Sequence, residues 1–274
     1  MRNTFSGIYY KHQKGENIVS VIAGASAKEH SFIQIISSKE SYYFKFPYSK
    51  PSELFKIGNN TFSTNGMIIS IEENDALIYG EIKYSELTPL RYDIMGPFRY
   101  VPMQCKHKIL SLHHRLNGSL SICGETIDFD GGAGYIEGDF GTSFPKNYIW
   151  IQCSDFQENA CIVASVADIP FSGLCFRGCI CVVSINGVEY RMATYLGAKI
   201  LCCCEHRIVL KQGSLYLEIE INAGTGQKLI APENGGMVRE IRECIMCGAH
   251  FRFIADGKVL FDQSSDKASF EFAD

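Results

Sequence analysis

The chain has little net charge for its length: over 274 residues, 26 lysines and arginines stand against 30 aspartates and glutamates, a formal balance of −4 at pH 7. No strongly basic or acidic face follows from that, so nucleic acid is not expected as a partner. Long apolar runs are missing too. Met1-Arg2-Asn3-Thr4-Phe5-Ser6-Gly7 leads directly into a polar, turn-punctuated region, with nothing of signal-peptide or membrane-spanning length, and cytoplasmic residence is the expectation. No window of a dozen residues carries a clean helical stripe, and no repeat or low-complexity tract interrupts the chain. Gly131, Gly132 and Gly134 lack the spacing of a phosphate loop.

Cysteine is plentiful, with twelve in the chain. Their irregular spacing and the contiguous Cys202-Cys203-Cys204 argue for reduced thiols rather than a disulfide framework. Cys244-Ile245-Met246-Cys247 has C-x-x-C spacing and His250 follows three residues later. A structural zinc site wants four ligands and no second C-x-x-C exists, so no metal is expected. Cys175, Cys179 and Cys181 share a parity on one strand-like run and are expected to fill a barrel interior as small hydrophobes.

Ile, Val, Tyr and Phe dominate the rest, with period-two alternation in stretches such as Tyr42-Tyr43-Phe44-Lys45-Phe46 and Leu215-Tyr216-Leu217-Glu218-Ile219-Glu220-Ile221. Asn117-Gly118, Asn186-Gly187 and Asp256-Gly257 each separate two such runs, as hairpin turns would. Roughly 17 to 20 short strands are predicted, more than one simple sheet holds without closing or splitting. The expected fold is all-β, with two antiparallel barrels packed together. The stretch Gly138 to Pro145 divides them into residues 1–144 and 145–274. Leu87 to Cys105 carries Pro89, Pro97 and Pro102 and is expected to be a loop over a barrel mouth.

Chemistry concentrates at Gly134-Tyr135-Ile136-Glu137-Gly138-Asp139-Phe140-Gly141. In an extended chain, Tyr135, Glu137 and Asp139 point to one side, placing two carboxylates about 6.5 to 7 Å apart at Cα. Burial and mutual repulsion would then raise one pKa and leave a proton to donate; alternatively, the pair marks the wet face of a half-buried strand. Just beyond, Tyr148, the lone Trp150 and Gln152 share a strand face, suited to an aromatic ligand wall or to ordinary core packing. Of His107, His113 and His114, adjacent histidines on a strand face opposite ways. At most one enters a site, and His113 is the chosen candidate.

Several of these pieces occur together in a known order. Ser6-Gly7-Ile8-Tyr9-Tyr10-Lys11, Met95-Gly96-Pro97-Phe98, the run from Gly134 to Pro145, Tyr148-Ile149-Trp150-Ile151-Gln152 and Leu229-Ile230-Ala231-Pro232 resemble the tocopherol cyclase-like family. That family is similar to carotenoid hydratase-like proteins, which implies two lipocalin-like barrels. It also implies a cofactor-free reaction of the intramolecular lyase or isomerase kind: an acid protonates the alkene of a prenylated quinol and a phenolic oxygen captures the cation. On this resemblance Glu137 is the preferred acid, with Asp139 as neighbour or orienting group. Tyr135, Tyr148 and Trp150 supply walls, and Gln152 orients a hydroxyl. The partner implied is a hydrophobic small molecule, a ligand that leaves transient membrane-surface contact open. The competing expectation is a non-catalytic lipocalin-like carrier. A solvated face at Glu137 and Asp139 would favour the carrier, and an enclosed one the enzyme.

Overall fold

The computed structural model describes residues 4–27, 29–73, 75–171 and 173–274. Eleven strands form a first antiparallel sheet: β1 Phe5–Lys14, β2 Asn17–Ser26, β3 His30–Ser37, β4 Ser41–Pro47, β5 Phe55–Ile57, β6 Asn60–Ser63, β7 Gly66–Glu73, β8 Ala76–Ser85, β9 Cys105–Ile122, β10 Glu125–Asp128 and β11 Ala133–Gly141. Their order is β4-β3-β2-β1-β11-β9-β8-β7-β6-β5, with β10 on β9. Ten more form the second: β12 Tyr148–Cys153, β13 Ala160–Phe171, β14 Leu174–Ile185, β15 Val188–Ala193, β16 Lys199–Cys204, β17 Arg207–Gln212, β18 Leu215–Asn222, β19 Gln227–Glu233, β20 Gly236–Ala255 and β21 Lys258–Ala273. Here the order is β15-β14-β13-β12-β21-β20-β18-β17-β16, with β19 on β20. No helix among the described residues is long and apolar enough to cross a membrane.

The chain divides into two compact units. The first comprises Met1–Asp93, Cys105–Phe144 and Ile230–Arg239, the second Ile94–Gln104, Pro145–Leu229 and Glu240–Asp274. In the first, one face of each strand feeds a single apolar core: Val19, Val21 and Ala23 from β2, Ile33 and Ile35 from β3, Ile69 and Ile71 from β7. Phe44 of β4 and Phe55 and Ile57 of β5 join that core, although their strands end the sheet on opposite sides. The sheet therefore curls around its own interior, as the hydrophobic effect requires when only one face is apolar. Among the described residues no pairing joins its two ends; the structure shows two antiparallel sheets, the first curled around its core.

The second unit packs Ile149, Ile151 and Cys153 of β12 against Ile162, Ala164 and Val166 of β13, with Phe251 and Phe253 of β20. Cys179 and Cys181 lie in this core as expected, but Cys175 is exposed. It sits near the start of β14, opposite Pro170 close to the connection from β13, beyond the packed interior. Cys244 and Cys247 are also core residues, across a register shift, while His250 points to Asp262 at 2.8 Å near the surface. None of the twelve cysteines, all among the described residues, is in a disulfide.

Two of the three expected hairpin turns form. Asn186 and Gly187 (φ 50° and 80°) join β14 to β15, and Asp256 and Gly257 (φ 50° and 74°) join β20 to β21. Asn117-Gly118 instead lies inside β9, paired with Lys83 and Ile82. Gly118 has φ 133°, and a Cβ there would stand 2.0 Å from the Glu81 carbonyl oxygen. Close backbone approach, not a turn, is the reason for this glycine. The proline-bearing stretch between β8 and β9 contains one 3-10 turn, Gly96–Tyr100. Within the second unit, the Tyr195 hydroxyl donates to the Ile94 carbonyl at 2.8 Å.

Candidate functional site

β11 runs antiparallel between β1 and β9. Tyr9 lies opposite Glu137 on one side, and His107 opposite Asp139 on the other. Ile136 enters the apolar core, so period-two alternation turns Tyr135, Glu137 and Asp139 to the other face of the sheet. Tyr135 is 0 % and Glu137 5 % exposed, whereas the Asp139 side chain keeps 21 % exposure, so the face is covered at Glu137 and partly open at Asp139.

Between the carboxylates stands the His107 imidazole. Its Nδ1 lies 3.1 Å from Asp139 Oδ1 and its Nε2 3.2 Å from Glu137 Oε2. Tyr135 donates its hydroxyl to the same Glu137 oxygen at 2.5 Å, and the Cys105 thiol donates to Asp139 Oδ1 at 3.5 Å. Burial, the largest single influence on His107, favours the neutral ring. The charges of Glu137 and Asp139 and their hydrogen bonds outweigh it and hold the imidazolium well above the usual histidine range. Burial and then the same carboxylates push the Cys105 thiol well up, keeping it a donor. The arrangement favours a charged imidazole, hydrogen-bonded to Asp139 through Nδ1 and in charge contact with Glu137 through Nε2.

One ligand atom from each of His107, Glu137 and Asp139 lies within 4.8 Å of the others. As placed, the ring offers a different nitrogen to each carboxylate, so the donors do not converge on one coordination point. A shared proton fits this arrangement better than a metal ion.

The histidine that meets these carboxylates is His107, not His113. His113 lies near a bulge of β9 beside Arg115 and Glu86, where burial first and Arg115 second lower its pKa. Six residues along a strand, about 20 Å, separate it from His107, which occupies the cluster. Pattern could not single out His107: only its register against Asp139, 32 positions away, does so.

Two further features of this unit were not placed at the site by the sequence. Lys11, 2 % exposed, lies opposite Tyr135 on β1, a buried amine one register step from the cluster. Residues 230–239 also pack on this unit: the Gln34 side chain accepts from the Ile230 N–H and donates to its carbonyl, both at 2.8 Å, and Ser26 Oγ donates to the Gly235 carbonyl at 2.6 Å.

In the second unit, Tyr148, Trp150 and Gln152 share the face of β12 opposite the core and are all buried. Tyr148 donates to Glu271 Oε2 at 2.5 Å. Trp150 is registered with Glu271, and Glu271 with Glu243 of β20. This acidic pair, buried on an aromatic face, is a second constellation that sequence pattern had not assembled, since its members come from three strands.

A family model described as tocopherol cyclase-like matches residues 84–273, which include Cys105, His107, Tyr135, Glu137 and Asp139. The chain belongs to this family. Solved structures extend the likeness over nearly the whole length of this family member. A kievitone hydratase from Nectria haematococca is 12% identical with a TM-score of 0.56, covering 98% of this chain and 88% of that one. A putative ATTH from Nitrosomonas europaea is 10% identical with a TM-score of 0.58, covering 99% and 92%. CghA, solved with Sch210972, is 7% identical with a TM-score of 0.63, covering 99% and 88%. At such identities the likeness is one of fold, placing this family member among lipocalin-like, two-sheet proteins. No curated protein matches the chain.

Proposed function

We propose that this protein is a cofactor-free acid catalyst of the cyclase or hydratase kind, acting on a prenylated quinol or similar hydrophobic small molecule. The observation that carries the reading is the placement of the His107 imidazole between the Glu137 and Asp139 carboxylates, beside the buried Tyr135. Family membership and a hydratase among the structural relatives support it.

The reaction follows from the arrangement. A proton leaves the imidazolium, directly or through Glu137, for the less substituted alkene carbon: a C–H bond forms, the π bond breaks, and a tertiary cation remains. The two carboxylates left behind stabilise that cation in a setting of low dielectric. An internal hydroxyl, or a water, attacks to form the C–O bond, and its proton returns to the cluster. Atoms and charge balance with no redox step. Tyr135 fixes the orientation of the Glu137 carboxylate, and Asp139 that of the imidazole. Substrate contact by Tyr148, Trp150 and Gln152 is part of the proposal, on the strength of their buried aromatic and amide surfaces.

The enclosure of Glu137 supports an enzyme over a carrier, since a carrier gains nothing from a buried proton reservoir that costs desolvation. The test is incubation with a geranylgeranyl benzoquinol, followed by chromatography and mass spectrometry. Cyclisation yields a product of unchanged mass, hydration one heavier by a water. Glu137→Gln and His107→Gln should each lower turnover by about 10²- to 10⁴-fold with an unchanged circular dichroism spectrum. Full turnover by Glu137→Gln would sink the assignment.

A further inference from the structure

Cys105 stands at the edge of the His107 cluster with no part in the reaction described above. It opens β9 two residues before His107 and shares its face, registered with Gly141 as His107 is with Asp139. Its thiol donates to Asp139 Oδ1 at 3.5 Å, the same oxygen that the imidazole Nδ1 meets at 3.1 Å. Burial, with the Asp139 charge, keeps the sulfur protonated. One carboxylate oxygen, able only to accept, thus receives two donors.

The two nitrogens of His107 are not equivalent. Nδ1 is hydrogen-bonded to Asp139, whereas Nε2, among the described residues, meets no acceptor in hydrogen-bond geometry, although Glu137 Oε2 lies 3.2 Å away. That Glu137 oxygen already accepts from Tyr135. An imidazolium carries one proton on each nitrogen: the one on Nδ1 is anchored, and the one on Nε2 is free to leave. Anchoring has a cost, because a bare Asp139 carboxylate would also hold the ring's charge more tightly. A donated S–H lays the positive end of its dipole on that carboxylate and offsets part of its field.

The surroundings leave this effect readable. From β1, Gly7, Tyr9 and Lys11 face Asp139, Glu137 and Tyr135 in turn, and the Tyr9 hydroxyl is bonded to Ser20 Oγ at 2.6 Å. Behind them β2 brings Gly24, Ile22 and Ser20, none of which titrates. Lys106 and Lys108 alternate onto the other face of β9.

We propose that Cys105 is a positioning residue of the acid: its thiol holds the Asp139 carboxylate on His107 Nδ1 and moderates that carboxylate's charge, so that the proton given up is the one on Nε2. The proposal rests on the acid-catalyst reading for its purpose, but its test needs no substrate.

Protein carrying isotope-labelled histidine is titrated by NMR, with His107 assigned by its absence from His107→Gln. The neutral ring is expected to keep its proton on Nδ1. Cys105→Ala should move the His107 midpoint upward by about 0.4 to 1 unit, the worth of one hydrogen bond, since Asp139 stays ionised where the imidazolium titrates. Cys105→Ser keeps a donor and should stay closer to the unaltered value. An unmoved midpoint in Cys105→Ala, equal shifts in both variants, or a neutral ring protonated on Nε2 would overturn the proposal. The tautomer is read in the unaltered protein and so does not depend on either variant folding. The expected tautomer and shifts in a protein that turns over no quinol would uphold the role of Cys105 toward His107 and remove the catalytic reading alone.

Discussion

Tyr135 and Glu137 stand two residues apart on β11, and the phenolic hydroxyl of the first donates at 2.5 Å to the carboxylate Oε2 of the second. Both side chains are buried, so water cannot replace that bond. Tyr135→Phe should therefore destabilise the protein by about 1–3 kcal/mol, the cost of leaving a buried acceptor short of a partner. Urea unfolding at neutral pH measures it. An unshifted midpoint would mean that the hydroxyl contributes nothing to holding the carboxylate.

His107 sets a pH dependence of definite sign. Its folded pKa lies well above the ordinary value because Glu137 and Asp139 overcome its burial. The ion pair's contribution to stability is fully present below about pH 6.5, the unfolded value, and is lost as pH rises through the raised folded value. The proposed proton donor disappears over the same range, so turnover should decline on the alkaline side. Rate profiles of the unaltered protein and of whatever residual activity His107→Gln keeps provide the check. The same alkaline limb in both would remove His107 as its source.

Acid should act on the first unit's core through other histidines. His12 lies 2.7 Å from the Tyr84 hydroxyl through Nε2 and 3.2 Å from the Val19 carbonyl through Nδ1. Burial lowers its pKa to about 4, against a smaller upward pull from Val19. Burial, with His12 and His113 nearby, lowers His114 to about 3. Both depressed bases remain neutral in the fold but take up protons when unfolded. Their contribution is complete above about pH 6.5 and declines below it, by up to ~1.4 kcal/mol per pH unit for each histidine. Stability measured between about pH 7 and 5 should fall less steeply in His12→Gln/His114→Gln. An equal slope would assign the acid sensitivity elsewhere.

Trp150 is the only tryptophan in the chain, so intrinsic fluorescence reports on its surroundings alone. If it contacts substrate, titration with a geranylgeranyl benzoquinol should change its emission saturably, and Tyr148→Phe should alter the midpoint. Turnover without any change in emission would exclude contact at Trp150 and leave the His107 cluster as the part of the site still standing.

How far these features could be read in advance depends on whether they are local. The shared face of Tyr135, Glu137 and Asp139 is set by the alternation of one strand, and it is extended as expected. Asn186-Gly187 and Asp256-Gly257 turn because the left-handed conformation they tolerate is a property of the residues themselves. Asn117-Gly118 misleads because the same glycine also admits a neighbouring backbone, and only the position of β8 distinguishes the two uses.

The sequence by itself determined the strand content, the family, and the side of β11 on which the carboxylates project, since each rests on contacts a few residues apart or on motifs read in order. Tertiary structure alone decided that Tyr135 and Glu137 are buried on this side, that His107 and not His113 meets the carboxylates, and that Lys11 is buried opposite Tyr135. Those outcomes depend on the register between distant strands. A shift of one residue would turn the opposite faces together, and no local pattern in either strand specifies that alignment.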